Sequence, residues 1–334
     1  MKVGILGAGA WGTSLAVALA ASHEVTLYAR EEGLPEAMQA ARENKLFLPG
    51  ITIPPAVALT GEFARAVAGD LIIAATPVAG LRPTLKQLRA LGSRTPVIWL
   101  CKGFETGTSK LPHQIAAEEL AQGVCYGALS GPSFAIEVAR GLPVALTLAS
   151  PDQAFAARTA AQLHGGMMRI YSSNDIAGVE IGGAVKNVMA IATGISDGLG
   201  LGHNARAALI TRGLAEMARL GVALGGKMET FMGLTGMGDL ILTATGDLSR
   251  NRTVGLKLAS AQKLDDVLGS LGHVAEGVYS AREAAARATA LKVDMPITQA
   301  VCDVIDGKVS ARDALERLLS REPKPEANMG AAPG

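Results

Sequence analysis

Residues 2–20 read KVGILGAGAWGTSLAVALA, and the fold is decided there. Gly7, Gly9 and Gly12 stand at GxGxxG spacing between an apolar strand-like run, 3–6, and an Ala/Leu-rich helical run, 13–21. In that setting the first glycine permits a tight turn and the second lets the backbone approach a pyrophosphate. The third allows close helix–strand packing, with the phosphates over the helix N-terminus. The same residues also resemble a short secretory leader, since Lys2 precedes apolar residues and a small-residue segment at 18–22. Glycines at 4, 7, 9 and 12 interrupt that run, however, and a second strand-like run, HEVTLYAR at 23–30, follows directly, as a βαβ unit requires. The expectation is a cytoplasmic chain whose dinucleotide-binding fold starts at its first residues.

Bulk properties agree with an enzyme. A length of 334 residues suggests two domains, and 49% hydrophobic with only 4% aromatic residues suggests an aliphatic core. No apolar run is both long enough and free enough of glycine to span a bilayer, so no membrane insertion is expected. With 31 basic and 30 acidic residues the net charge is +1, which gives no electrostatic reason to expect nucleic acid or an anionic surface as partner. Cys101, Cys125 and Cys302 are scattered and never form a CxxC pair, and the histidines lack ligand spacing. Neither a disulfide framework nor a metal is expected.

Along the first half, short apolar runs at 3–6, 25–28, 71–75, 97–100 and 144–149 alternate with helix-length stretches, and 124–129 and 168–171 extend the set. Such alternation predicts an α/β Rossmann domain over residues 1–173, with a doubly wound, mostly parallel sheet. The segment NKLFLPGITIP at 44–54 carries Pro49-Gly50, a turn signal, inside an insertion. Beyond residue 174 the strand pattern stops, and Gly/Ala-rich helical segments predict an all-α domain over 174–321. Residues 322–334, EPKPEANMGAAPG, have nothing to bury and read as a mobile tail.

Polar residues at the C-terminal ends of parallel strands mark where ligands collect. Lys102, in WLCKGFE, and the SGPSFA turn at 130–135 with Gly131 and Ser133 occupy such positions; a solvated lysine and a plain surface turn are the alternatives. In VEIGGAVKNVMAIATG, Lys186 is the one cation in an apolar helical run, and Gly182 and Gly183 one turn earlier leave volume beside it for a small substrate. Further on, GLTGMGDLILTATGDLSRNR offers Asp239, a helix cap or a carboxylate partner for Lys186, and the cluster Ser249, Arg250, Asn251 and Arg252. Guanidinium forks beside neutral donors suit a phosphate monoester; a solvated polar loop is the alternative.

Taken together, GAGAWGT, ENKLFLPGI, KGFE, SGPSFAIEVARGLP, EIGGAVKNVMAIATGISDGLGLGHNARAALITRGLAEM, ETFMGLTGMGDLILT, LSRNR and VAEGV resemble, in order and to about residue 320, the bacterial-type NAD(P)-dependent sn-glycerol-3-phosphate dehydrogenases. The resemblance implies reversible reduction of dihydroxyacetone phosphate by NADH or NADPH for glycerophospholipid synthesis. It implies Lys186 as the catalytic lysine, Asp239 as the residue that holds it, and Lys102 as a lysine reached by both cofactor and substrate. Substrate contacts fall on Lys102, Gly131, Ser133, Lys186, Asp239, Ser249, Arg250 and Asn251. Cofactor contacts fall on Ala10, Trp11, Arg30, Lys102, Ala135, Arg250, Val274 and Glu276, beside Gly7, Gly9 and Gly12. The family often has Ser at Ala10 and a carboxylate at His203; neither departure touches the catalytic positions.

Two other readings stay open. A β-hydroxyacid-type dehydrogenase expects Asn four residues after the helix lysine, where this chain has Ala190. A non-catalytic NAD(P) sensor needs neither lysine nor the Ser249, Arg250 and Asn251 cluster. A homodimer is the prior expectation for enzymes of this kind.

Overall fold

The computed structural model describes residues 1–271 and 275–322, and the chain divides into two compact units. The first comprises Met1–Cys101 and Pro112–Ile176; the second takes Lys102–Leu111 and everything from Ala177 onward. Phe104 and Leu111, within the 102–111 segment, are buried in the core of the helical unit.

The first unit is built on strands β1 (Lys2–Leu6), β2 (Glu24–Tyr28), β3 (Glu43–Asn44), β4 (Leu48–Thr52), β5 (Val57–Thr60), β6 (Leu71–Ala74), β7 (Val97–Trp99), β8 (Tyr126–Ser130), β9 (Val144–Ala149) and β10 (Met168–Ser173). Eight of them form one sheet in the order β10-β9-β8-β7-β6-β1-β2-β5, parallel except where β8 meets β9. Helices Ala10–Leu19, Val78–Ala90 and Gln153–Leu163 are among the connections. Central strands are buried at nearly every residue, with Ile5, Ile72, Ile73 and Ile98 all at 0% exposure, the signature of a sheet covered on both faces. The fold class read from the sequence is thus the one observed.

Two local expectations change. Pro49-Gly50 is not the turn of the insertion: both residues lie inside β4, and the chain reverses at 45–47. A two-stranded ribbon with a register irregularity tolerates a proline, and Gly50, at φ +78°, absorbs the bend. The edge strand β5, entered from Pro54-Pro55, escaped the pattern because it is only four residues long, with just its two end residues buried.

In the second unit, helix Ile176–Gly198 is long and apolar enough to cross a membrane by length and composition, but it is interrupted by glycines and 94% of its apolar stretch is buried inside the fold, as in a core helix. It is the axis of a core shared with helices Gly202–Ala223, Glu276–Ala290 and Pro296–Ile305, to which Val188, Met217, Ala281 and Val301 contribute. Small residues let neighbours close in: an added Cβ at Gly194 would stand 2.1 Å from the Arg252 carbonyl oxygen.

Candidate active site

Asp239 organises the helical unit's polar centre. Helix Asp239–Thr245 begins directly after a π-helical turn, Leu234–Gly238, and its first residue is 1% exposed. Lys186 Nζ donates to Asp239 Oδ1 at 2.5 Å and Lys102 Nζ donates to Oδ2 at 2.6 Å, so one carboxylate binds two ammonium groups, one per oxygen. The structure thereby selects the carboxylate-partner role over the helix-cap role. Thr243, one turn further on the same helix, accepts from Lys186 Nζ at 2.8 Å and donates to the Asp239 carbonyl at 2.6 Å. No sequence argument singled out Thr243, although its i+4 spacing from Asp239 was a usable signal.

Burial pushes the Lys186 ammonium down from 10.5 to about 8; Asp239 opposes that shift, Lys102 adds to it, and Glu276 opposes it. Lys186 is therefore poised near the range where a proton donor works best. Burial likewise pushes the half-buried Glu276 carboxyl up, against Arg250, Lys102 and Lys186, so these charges form one electrostatic cluster. Of the two glycines expected to leave space for a substrate, Gly182 does not: an added Cβ there would stand 2.5 Å from the Thr235 carbonyl oxygen of the π-helical turn.

The LSRNR cluster divides by role. Ser249 is buried and caps helix Arg250–Ala259, accepting from Arg252 N. Arg252 pairs with Asp197 at 2.8 Å and Asp247 at 3.0 Å, so its guanidinium is engaged in the scaffold. Asn251 donates to Asn187 Oδ1 and accepts from Gly277 N, joining three elements. Arg250 is exposed, and among the described residues no hydrogen bond or ion pair holds its guanidinium. Val274 and residues 323–334 lie outside the described residues.

In the first unit the glycine turn has the geometry a dinucleotide needs. Gly7 sits at φ +118°, and an added Cβ at Gly12 would stand 1.9 Å from the Gly7 carbonyl oxygen, so the turn and helix Ala10–Leu19 are in direct contact. At Gly9 an added Cβ would meet nothing within 4 Å, which leaves the cradle open above the helix N-terminus beside Ala10 and Trp11. Asn44, on the inserted ribbon and 0% exposed, donates to the Ala8 carbonyl at 2.7 Å and to Thr13 Oγ1 at 2.8 Å, fixing the turn from a distance. Its role was invisible in the sequence. Ser14 donates to the Ala135 carbonyl at 2.7 Å, which ties the SGPSFA turn to the same helix; there Ser133 Oγ donates to the Gly131 carbonyl at 2.9 Å. Arg30 stands exposed two residues after β2, with Glu31 at 3.9 Å.

A Rossmann turn in one unit and a buried lysine–carboxylate pair in another define a nicotinamide-dependent dehydrogenase. Family models agree over both halves: the N-terminus of NAD-dependent glycerol-3-phosphate dehydrogenase matches residues 2–156, and its C-terminus matches 175–316. A glycerol-3-phosphate dehydrogenase [NAD(P)+] of Dechloromonas aromatica is 58% identical, over 98% of this chain and 99% of that protein. One of Burkholderia orbicola is 58% identical over 98% and 100%. The crystal structure of the Coxiella burnetii glycerol-3-phosphate dehydrogenase is 40% identical and superimposes with a TM-score of 0.91, covering 96% of this chain and 99% of that one. The chain belongs to the NAD-dependent glycerol-3-phosphate dehydrogenase family and is an oxidoreductase that uses NAD(P).

Proposed function

We propose that the chain reversibly reduces dihydroxyacetone phosphate to sn-glycerol 3-phosphate with NADH or NADPH, the product serving glycerophospholipid synthesis. The observation that carries this reading is the Asp239 carboxylate shared between Lys186 and Lys102. Gly7, Gly9, Ala10, Trp11, Gly12 and Ala135 would hold the dinucleotide, with Arg30 at its adenosine ribose and Lys102, Arg250, Val274 and Glu276 completing the contacts. Bound NAD(P)H supplies the hydride that adds to the carbonyl carbon.

The chain's own residues do the remainder. Lys186, held by Asp239 and Thr243, donates its proton to the developing alkoxide, and the Lys102 ammonium adds positive charge beside the same oxygen. Arg250, with Asn251, holds the substrate phosphate and converts remote binding energy into placement of the carbonyl, and Ser249, Gly131 and Ser133 are further proposed substrate contacts. We take the enzyme to work in the cytoplasm as a homodimer; sedimentation of the purified chain as a monomer would overturn the assembly.

The test is turnover of dihydroxyacetone phosphate by the purified chain, followed as oxidation of NAD(P)H with equimolar sn-glycerol 3-phosphate formed. Turnover of a 3-hydroxy acid instead would favour the β-hydroxyacid class, and cofactor binding without turnover would favour a sensor.

A further inference from the structure

We propose that Glu283 is a positioning residue for Lys102: its carboxylate clamps the loop that follows Lys102 onto the helical unit and so sets where the Lys102 ammonium stands. The inference rests on the dehydrogenase reading above. Glu283 Oε1 accepts from Gly107 N at 2.9 Å and Oε2 accepts from Ser109 Oγ, so both oxygens are committed to one loop. The loop is a closed body of its own. Glu105 N donates to the Lys110 carbonyl at 2.8 Å, Ser109 N donates to the Glu105 carbonyl at 2.9 Å, and Thr108 Oγ1 donates to Glu105 Oε2 at 2.7 Å. Ser109 is held at φ +51°, a conformation that costs a serine energy and persists only when its surroundings fix it.

The helix that carries the clamp is itself registered against the site. Glu276 and Glu283 lie two turns apart on one face of helix Glu276–Ala290, the first in the electrostatic cluster with Lys102, Lys186 and Arg250, the second on the loop. At the helix start, Gly277 N donates to Asn251 Oδ1 at 3.0 Å, and an added Cβ on Gly277 would stand 2.7 Å from both the Asn187 carbonyl and Asn251 Oδ1. One helix thus meets the neighbours of Lys186 and Arg250 and, through Glu283, the segment bearing Lys102. Phe104 and Leu111 bury the two flanks of that segment, but apolar contacts are non-directional. The bidentate polar clamp supplies the direction.

Glu283→Ala and Glu283→Gln are made in the parent and in a Lys102→Met background, and kcat and KM for dihydroxyacetone phosphate are measured with thermal stability. Glu283→Ala in the parent is expected to lower kcat about 10-fold, with KM for NAD(P)H unchanged. Glu283→Gln, whose amide oxygen still accepts from Gly107 and whose amide nitrogen donates to Ser109 Oγ, should recover to within about 3-fold. In the Lys102→Met background, Glu283→Ala should change residual kcat by less than about 2-fold, because the group it positions is gone. An equal loss in both backgrounds, or no loss in the parent, overturns the proposal.

Hydrogen exchange of the 102–111 peptides gives a readout independent of substrate: faster exchange in Glu283→Ala and near-parent exchange in Glu283→Gln are expected, and unchanged exchange in both overturns the clamp. Should Glu283→Ala fail to fold, Ser109→Ala removes one arm and should show a smaller loss, about 3-fold, that vanishes with Lys102→Met. A parent chain that does not turn over dihydroxyacetone phosphate shows the dehydrogenase reading itself to be wrong, and the exchange result still decides the clamp.

Discussion

Lys186 and Asp239 meet at 2.5 Å in a site where the lysine side chain is 9% exposed and the carboxylate 1%. Two desolvated charges at that distance offset each other only while both are present, and removing one partner of a buried pair costs about 3–5 kcal/mol. Here Asp239 also serves Lys102, so its loss strands two ammonium groups. Lys186 is the safer residue to remove, because Lys102 still neutralises the carboxylate.

Lys186→Met should therefore fold and bind NAD(P)H while turnover falls about 100-fold to 10,000-fold. A folded variant that keeps turnover within a few-fold of the parent would make Lys186 structural and leave Lys102 as the proton donor.

Burial moves the Lys186 ammonium down to about 8, and the sign of the pH dependence follows. Ketone reduction needs the ammonium as donor, so its kcat/KM should fall as pH rises through about 8; alcohol oxidation needs the neutral amine, and its kcat/KM should rise over the same range. Rate profiles in both directions check this, and limbs that move together would exclude a single acid–base group.

Arg250→Ala should impair dihydroxyacetone phosphate far more than unphosphorylated dihydroxyacetone, by about 2–4 kcal/mol in kcat/KM. An equal loss with both substrates would place Arg250 at the cofactor or in the scaffold. Arg252 is the contrast, since its ion pairs with Asp197 and Asp247 tie it to the fold.

What was legible in the sequence was local. The glycine turn, the alternation of the first unit and a lone lysine in an apolar helix each lie within a few residues of chain, and periodicity reads such features directly. What escaped joins distant residues. Lys102 and Asp239 are 137 positions apart, so their pairing is set by packing alone, whereas Asp239 as a partner for Lys186, 53 positions away, was one of two readings the sequence offered. Asn44 fastens the dinucleotide turn from 36 residues away, and Phe104 and Leu111 carry the Lys102 loop into the other unit's core. Within LSRNR, composition showed two arginines but not which of them is paired.

Cofactor choice turns on Arg30, 83% exposed beside Glu31 at the place where an acidic residue selects a ribose hydroxyl. An exposed guanidinium suits a 2′-phosphate, while Glu31 opposes it, so both NADH and NADPH should be used. Arg30→Ala should raise KM for NADPH about 10-fold and leave NADH nearly unchanged. Undetectable NADPH turnover by the parent would sink this.

Stability should carry the mark of Glu216. Its carboxylate, 1% exposed on helix Gly202–Ala223, accepts from Ile297 N at 2.6 Å, Thr298 N at 3.1 Å and Thr298 Oγ1 at 3.1 Å, capping helix Pro296–Ile305 from a separate element. Burial pushes the carboxyl up to about 7 from 4.5, against those hydrogen bonds. The folded chain then keeps a proton that the unfolded chain has lost, so folding takes up protons between 4.5 and about 7, and stability falls as pH rises through that window. The cost is absent below the unfolded value and complete above the folded one, with a slope of at most about 1.4 kcal/mol per pH unit. Glu216→Gln removes the titration and retains an acceptor for the helix start, so urea unfolding across the window should show a flatter pH dependence in the variant. Parallel curves for parent and variant would show that Glu216 is ionised throughout and acts only as a cap.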